Sequence, residues 1–241
     1  MTESLLYSGK AKNMFQTDDP EIVHIHYKDQ ATALNGKVKE KIEGKGQLTS
    51  HISALLFNYL TVQGIENHFQ KELENGDALV RKVKIVPLEV VTRNFAAGHF
   101  ASRFNVPMHK ALKPAVHEFY FKSDSLDDPF INDEQILALE IADKKTISQM
   151  KEEAELINQK LINLFDQIGI ILIDFKVEFG FTSQGKLLLA DELSPDNMRL
   201  LDKESGKSLD KDVFRQKIGD VRIGYQTVLD RLNNKLIAGE N

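Results

Sequence analysis

The chain has 241 residues, 41% hydrophobic and 28% charged, with a formal net charge of −5; it is long enough for a large core in one domain or two lobes, and its acidity argues against a broad nucleic-acid surface while leaving room for small anionic ligands at local Lys and Arg clusters. It has no cysteine, which excludes disulfides, thiolate catalysis and cysteine zinc sites. Met1 to Lys12 is polar with no signal-peptide core, and the longest apolar runs are about five residues, far short of a membrane span, so a cytoplasmic protein with no membrane partner is expected.

In chain order, Leu5 to Phe15 predicts two short strands around a tight turn at Gly9. Val23, Ile25 and Tyr27 alternate, which predicts a strand over 21–27. Leu48, Ile52, Leu55, Leu56 and Tyr59 have helical spacing, and Gly64 follows the end. Leu79 to Val86 and Leu88 to Arg93 read as two strands, or as one bent at Pro87. Pro107, Pro114 and Pro129 break up 98–129, which reads as irregular, with a polar loop over 124–128. A helix is expected near 134–142. Next comes the strongest helical stripe, Ile147, Met150, Ala154, Ile157, Leu161, Leu164, Phe165 and Ile168, with Gly169 at its C-terminal cap. Segments 170–179 and 186–193 predict a β-hairpin, and 211–232 a last helix. Strands first, then mixed helices and strands, argue an α+β fold with two lobes joined near Val86–Glu89.

The hairpin carries the most chemistry. Along its first strand Ile171, Ile173, Phe175, Val177 and Phe179 share one face, and Asp174, Lys176 and Glu178 share the other. A two-residue turn at Gln184-Gly185 sets Glu178 opposite Asp191; a three-residue turn shifts that register. Opposed Cβ atoms lie about 4.5–5.5 Å apart, and two carboxylates so placed repel unless a proton or cation lies between them. Mg²⁺, which takes one or two carboxylates with phosphate oxygens and water, fits such a pair. A solvated strand face with screened charges is the competing account.

Ser194-Pro195-Asp196 is a turn signal at the strand end, and Arg199 beyond it is suited to clamp a phosphate or carboxylate. Gly9-Lys10-Ala11-Lys12 places two lysines on one strand face beside a glycine that admits a ligand to the backbone. Arg93 to Arg103 brackets small residues, Ala96-Ala97-Gly98, that allow close approach, which suggests a second anion pocket. Taken alone, the first two read better as solvated surface turns, and the third has the alternative of a strand-to-helix connection with two surface arginines. The Walker spacing, GxGxxG, HExxH and GxSxG are absent.

Together the segments YSGKAK (7–12), DQATALNG (29–36), VPLEVVTRN (86–94), AAG (96–98), DFKVEFG (174–180) and DELSPD (191–196) with Arg199 resemble, in order and spacing over essentially the whole chain, the phosphoribosylaminoimidazole-succinocarboxamide synthase family. The resemblance implies a protein-kinase-like N-terminal lobe over 1–86, an ATP-grasp-like C-terminal lobe over 87–241, and ATP in the cleft between them. It implies an ATP- and Mg²⁺-dependent ligase of purine biosynthesis that joins L-aspartate to an imidazole ribonucleotide carboxylate through an acyl phosphate. It further implies small-molecule partners and a homodimer. By the same resemblance Lys10, Ala11 and Lys12 hold ATP phosphates, Lys82 and Val86 to Glu89 lie near the nucleotide, and Glu178 and Asp191 bind Mg²⁺. Arg93 and Arg199 grip the ribonucleotide phosphate, with Asp196 in its neighbourhood. Asn35, Lys122, Asp174, Lys176 and Arg215 line the cleft, with Lys176, Asp174 and Asp196 expected nearest the chemistry. His99 departs from the family's usual serine after Ala-Ala-Gly, so its phosphate contact would come from an imidazole.

Overall fold

The computed structural model describes residues 4–33, 36 and 38–237. Its first part is a five-stranded antiparallel sheet. Strands β1 (Leu5–Ser8) and β2 (Lys12–Gln16) form the expected hairpin, closed by the Gly9 N–H on the Lys12 carbonyl at 2.8 Å. Strand β3 (Ile22–Tyr27) follows, and after it a small separate hairpin, β4 (Gln30–Ala33) with β5 (Val38–Lys41). Helix α1 (Lys45–Val62) begins three residues before the expected Leu48 and ends before Gly64, whose φ of 84° suits glycine. Strands β6 (Phe69–Glu72) and β7 (Ala78–Arg81) complete the sheet in the order β1-β2-β3-β7-β6. The alternation in β3 buries Val23, Ile25 and Tyr27 against Ala78 and Val80, a small core of its own. His24 and His26, on the opposite face, both bond the Asp77 carboxylate, at 2.7 and 2.8 Å.

The chain passes to a second, larger sheet at Lys82–Val83, so the strand break lies there and not at Pro87. Strand β8 (Lys84–Phe95) runs through Pro87 because a bulge takes it out of the ladder: Glu89 pairs with Glu178 and Ile85 with Gly180, which leaves extra β8 residues opposite Phe179. After the short helix α2 (Gly98–Phe104), the region expected to be irregular holds an eleven-residue strand, β9 (Ala111–Phe121). Pro114 hid it from the sequence. It too sits in a bulge, between the Arg93–Val116 and Phe95–Ala111 pairs. The 124–128 loop contains one 3-10 turn, Asp124–Leu126. Strand β10 (Phe130–Ile131) then pairs with β9 at the sheet edge.

Helix α3 (Asp133–Ala138) is shorter than expected, and a reciprocal Asn132–Gln135 capping box starts it. Helix α4 (Lys144–Gln167) carries the expected stripe, with Asp143 capping the Thr146 N–H at 2.7 Å and Gly169 in the left-handed region at φ 70°. Strand β11 (Ile170–Phe181) lies centrally between β8 and a shared edge. Strand β12 (Leu187–Ala190) pairs with the second half of that edge and β13 (Met198–Asp202) with the first half. The β11–β12 turn has three residues, Ser183, Gln184 and Gly185, closed by the Thr182 N–H on the Lys186 carbonyl at 2.9 Å, with Gly185 at φ 79°. The register therefore shifts, and Glu178 stands opposite Ala190 and not Asp191. The expected last helix is two: α5 (Asp212–Arg215) and α6 (Val221–Leu236), the second started by the Asp220 carboxylate on the Arg222 N–H at 2.9 Å.

One hydrophobic core unites the apolar faces of β8, β11, β12 and β13 with α1, α3, α4 and α6. The period-2 pattern of β11 sends Phe175, Val177 and Phe179 into it and turns Asp174, Lys176 and Glu178 to the other face. Among the described residues no helix is long and apolar enough to cross a membrane.

Leu161, fully buried on the α4 stripe, anchors this packing. Leu161→Ala should cost about 2–5 kcal/mol in a urea unfolding titration. Asp210, between β13 and α5, is buried and accepts the Leu200 and Asp212 N–H groups at 2.8 and 2.7 Å. Burial pushes its carboxyl up to about 6 from 3.8. The folded state holds that proton more tightly than the unfolded chain, so its contribution is full below about pH 4 and is lost as pH rises through about 6. In Asp210→Asn the stability difference between pH 4 and pH 7 should change by about 3 kcal/mol in favour of pH 7; an unchanged pH dependence would contradict the assignment.

Candidate active site

The polar face of the larger sheet is lined with charge in strand order. Arg93 on β8, Asp174 on β11 and Arg199 on β13 stand abreast in register. Arg93 Nη1 and Arg199 Nη1 both donate to Asp174 Oδ2, at 2.6 and 2.8 Å. Arg93 Nε also meets Glu118 of β9 at 2.5 Å, and Arg199 Nε meets Asp212 of α5 at 2.8 Å. Burial would lower both guanidinium pKa values, but the facing carboxylates, Asp174 foremost, outweigh it and hold both cations above their ordinary range. Gly98 rests on Arg199: a Cβ there would lie 2.9 Å from Nη2, and its φ of 52° is a second reason for glycine. His99 follows in the first turn of α2, exposed.

Two residues along β11 lies a lysine–carboxylate cluster. Lys176 Nζ is 3.0 Å from Glu89, 3.2 Å from Glu178 and 3.4 Å from Asp191. Lys122 also bonds Glu178, and Lys12, from the smaller sheet, bonds Asp191 and lies 3.6 Å from Glu192. The carboxylate directly opposite Glu178 is Glu89. Asp191 reaches the cluster because the strand has ended: at φ 68° the backbone turns there and brings its carboxylate round to Lys176 and Lys12. Glu178 and Asp191 thus meet at one lysine nitrogen and not across the ladder.

Burial is deep enough to shift protonation. It would raise Asp191, yet Lys12 and Lys176 outweigh it and hold the carboxyl well below the usual range. Burial would lower Lys176, but Asp191, Glu178 and Glu89 keep it well above the ordinary lysine value. His68, whose Nε2 lies 3.1 Å from the Asp191 carbonyl oxygen, is pushed down to about 4 by burial and by Lys12. Tyr27 is pushed up to about 12, chiefly by burial. At neutral pH both are uncharged. Glu192 is raised by burial, and its Oε2 makes no hydrogen bond.

The connection from β12 to β13, residues 191–197, leaves and rejoins the same edge of β11. It is pinned by the Ser194 N–H on Asn197 Oδ1 at 3.0 Å, the Asp196 N–H on Ser194 Oγ at 3.1 Å, the Leu193 N–H on Ser53 Oγ at 3.1 Å and the Lys176 N–H on the Asn197 carbonyl at 2.8 Å. Asp196 is buried; Lys45 holds one oxygen and the Tyr225 hydroxyl donates to the other at 2.8 Å.

The fold thus gathers Lys12, Glu89, Arg93, Lys122, Asp174, Lys176, Glu178, Asp191, Asp196 and Arg199 along one charged face. Other expected residues lie outside it or, like Arg215, which shares Asp212 with Arg199, at its margin. Lys10 pairs with Asp124 at 2.7 Å and is partly exposed, and Arg215 is exposed and paired with Asp212 at 2.5 Å. Ala11 offers its carbonyl to the Lys28 N–H at 2.8 Å, and Lys82 is an exposed residue of the turn before β8. The Val86 side chain belongs to the hydrophobic core. Asn35 lies outside the described residues. Sequence reasoning missed Lys45, Glu118, Glu192, Lys211 and Asp212. Two signals were available: Glu192 adjoins Asp191, and Lys211 lies between two aspartates. Among the described residues no three His, Asp or Glu side chains converge on one point as a protein-only cation cage would need.

The family model described as SAICAR synthetase matches residues 5–232. The phosphoribosylaminoimidazole-succinocarboxamide synthase of Oenococcus oeni is 99% identical over 241 residues, the whole of both chains. The crystal structure of the synthase from Ehrlichia chaffeensis superposes with a TM-score of 0.93 at 41% identity, covering 95% of this chain and 98% of that one. A SAICAR synthetase solved in complex with ADP gives 0.91 at 38% identity, over 95% and 97%. The register shift and the regrouped charges leave the assignment intact: the chain belongs to the SAICAR synthetase family.

Proposed function

We propose that the chain carries out the reaction for which its family is named. It is an ATP-dependent carbon–nitrogen ligase of purine biosynthesis. It joins L-aspartate to 5-amino-1-(5-phosphoribosyl)imidazole-4-carboxylate and yields the succinocarboxamide, ADP and phosphate. The observation that carries this reading is the charged face of β11, with Lys12, Lys122 and Lys176 gathered on Glu178 and Asp191 beside the Arg93–Asp174–Arg199 row.

A carboxylate is a poor acyl donor because oxide would have to leave. Attack of its oxygen on the γ-phosphorus of ATP expels ADP and makes an acyl phosphate. The aspartate amine then attacks the carbonyl carbon, phosphate leaves with the C–O electron pair, and the amine proton goes to solvent or base. Neither step needs a protein nucleophile. Both ask for positioning and for charge placed in advance. Lys10, Ala11 and Lys12 are assigned to the ATP phosphates, and Lys82 with Val86 to Glu89 to the nucleotide's neighbourhood. Arg93 and Arg199 are assigned to the ribonucleotide phosphate, with His99, Lys122, Arg215 and Asn35 as further substrate contacts. Lys176, Asp174 and Asp196 border the reacting groups. Arg93 and Arg199 both donate to Asp174 Oδ2, and their remaining guanidinium donors suit a phosphate dianion.

Glu178 and Asp191 suit Mg²⁺ in kind and number: two carboxylates that reach the same lysine nitrogen, the usual protein share when phosphate oxygens and water complete the shell. When bound, the ion would neutralise charge on the transferring phosphate. The accompanying fold reading is a kinase-like lobe over 1–86, an ATP-grasp-like lobe over 87–241 and ATP between them, in a cytoplasmic homodimer.

The test is ADP release with ATP, Mg²⁺ and the imidazole carboxylate, with and without L-aspartate. Turnover should depend on all four; ADP release indifferent to aspartate would mean a phosphotransferase instead. Asp191→Asn should lower kcat by about 100-fold or more while the melting transition stays cooperative. Near-normal turnover of that variant at saturating Mg²⁺ would remove Asp191 from the metal assignment.

A further inference from the structure

We propose that Lys211 anchors a carboxylate of the amine substrate, L-aspartate. The proposal rests on the ligase reading above and adds a subsite to it. The Lys211 backbone N–H donates to the Pro195 carbonyl at 3.0 Å, which fixes the residue beside the 191–197 loop. Its side chain is only 11% exposed. Among the described residues its single hydrogen bond is a long one, 3.5 Å to the Thr32 hydroxyl of β4. The nearest carboxylate oxygen is Asp196 Oδ1 at 3.7 Å, and that oxygen already accepts the Tyr225 hydroxyl. Lys45 holds the other oxygen of Asp196. Two buried ammonium groups thus share one carboxylate, and the one with three donors and a single long bond is Lys211.

Much of the nearby negative charge is engaged by other cations. Arg215, one turn along α5, and Arg199 both draw on Asp212. Glu192 also faces this corner, buried and without a hydrogen bond on Oε2. Lys45 opens α1, whose first turn has no acidic residue to offset the positive helix end. Burial, aided by Lys45 and Arg215 against the pull of Asp196, lowers the Lys211 ammonium from the ordinary lysine range, the mark of a buried cation that an incoming anion would stabilise.

The chemistry selects the ligand. Of the anionic groups the reaction brings in, the ribonucleotide phosphate matches the Arg93–Arg199 pair, and the polyphosphate matches the Lys12–Lys122–Lys176 group. The imidazole carboxylate must lie against the γ-phosphate that it attacks, beside that lysine group. The carboxylates of aspartate remain. A compact ammonium in a dry corner suits a carboxylate, which it can meet as a point charge. A substrate held there would lie beside the loop that carries Asp191 and Asp196, because Lys211 is tied to it at Pro195.

Steady-state kinetics on Lys211→Met, Lys211→Arg and the unaltered enzyme, varying each substrate in turn, test this. Lys211→Met should raise the KM for L-aspartate by about 10- to 100-fold and leave the KM values for ATP and the imidazole carboxylate within about twofold. Lys211→Arg, which keeps the charge, should recover part of the loss. Binding of succinate, a dicarboxylate without the amine, should weaken in parallel when measured by calorimetry. An unchanged KM for aspartate in a folded Lys211→Met would overturn the proposal, as would a fall in kcat with all three KM values unchanged. If the unaltered enzyme itself shows no dependence on aspartate, the ligase reading fails instead.

Discussion

Lys176 lies among Glu89, Glu178 and Asp191 on a largely buried sheet face, and the same constraint governs every charge around it. A dry ion is tolerable only with a partner. The protein meets that demand internally: lysines from two sheets hold the carboxylates, and Asp174 serves two arginines at once. Under the proposed reaction, binding then becomes an exchange of partners. The desolvation of these groups is already part of folding, so an incoming polyphosphate need not strip water from each lysine afresh. This is how a site can be poised for charge while remaining stable without ligand.

The second face of β11 makes that possible. Phe175, Val177 and Phe179 sit in the main core beneath α4, so the strand cannot slide by one residue without driving Asp174, Lys176 and Glu178 into apolar surroundings. The core thereby fixes the depth and spacing of the charges above it. Arg93 and Arg199 inherit their positions from the same strand, because each is the registered neighbour of Asp174 on one side of it.

Local patterns made part of this legible in the sequence. The stripe over 147–168 and its glycine gave α4, and the alternation of 174–179 gave both faces of the second half of β11; upstream a bulge between Leu172 and Asp174 changes the phase, so Ile170 and Leu172, and not Ile171 and Ile173, join the core. Two prolines misled: Pro87 suggested a break that a bulge absorbs, and Pro114 hid β9 altogether. The β11–β12 register was missed because Gly185 supports a turn one residue longer than the two-residue form. What pairs with what across the sheet was beyond reach, since Arg93 and Asp174 are 81 residues apart. The family resemblance named most of the clustered residues, but not Lys45, Glu118 or Asp212, which act as counter-ions and carry no motif of their own.

The excursion from Ala190 to Met198 has both of its ends tied to the edge of one strand. Enzyme loops commonly tolerate insertions, since their two anchors belong to elements that can adjust independently. Here the anchors share a strand, and the gap between them is a fixed number of peptide units. An added residue would have to bulge toward Lys12 and Ser53 or push β13 out of step with β11, carrying Arg199 with it. The segment is therefore closer to a gauge than to a loop. Redesign of this enzyme for other substrates can change side chains within it, but lengthening or shortening belongs elsewhere, such as the exposed turn at Ser183 to Gly185.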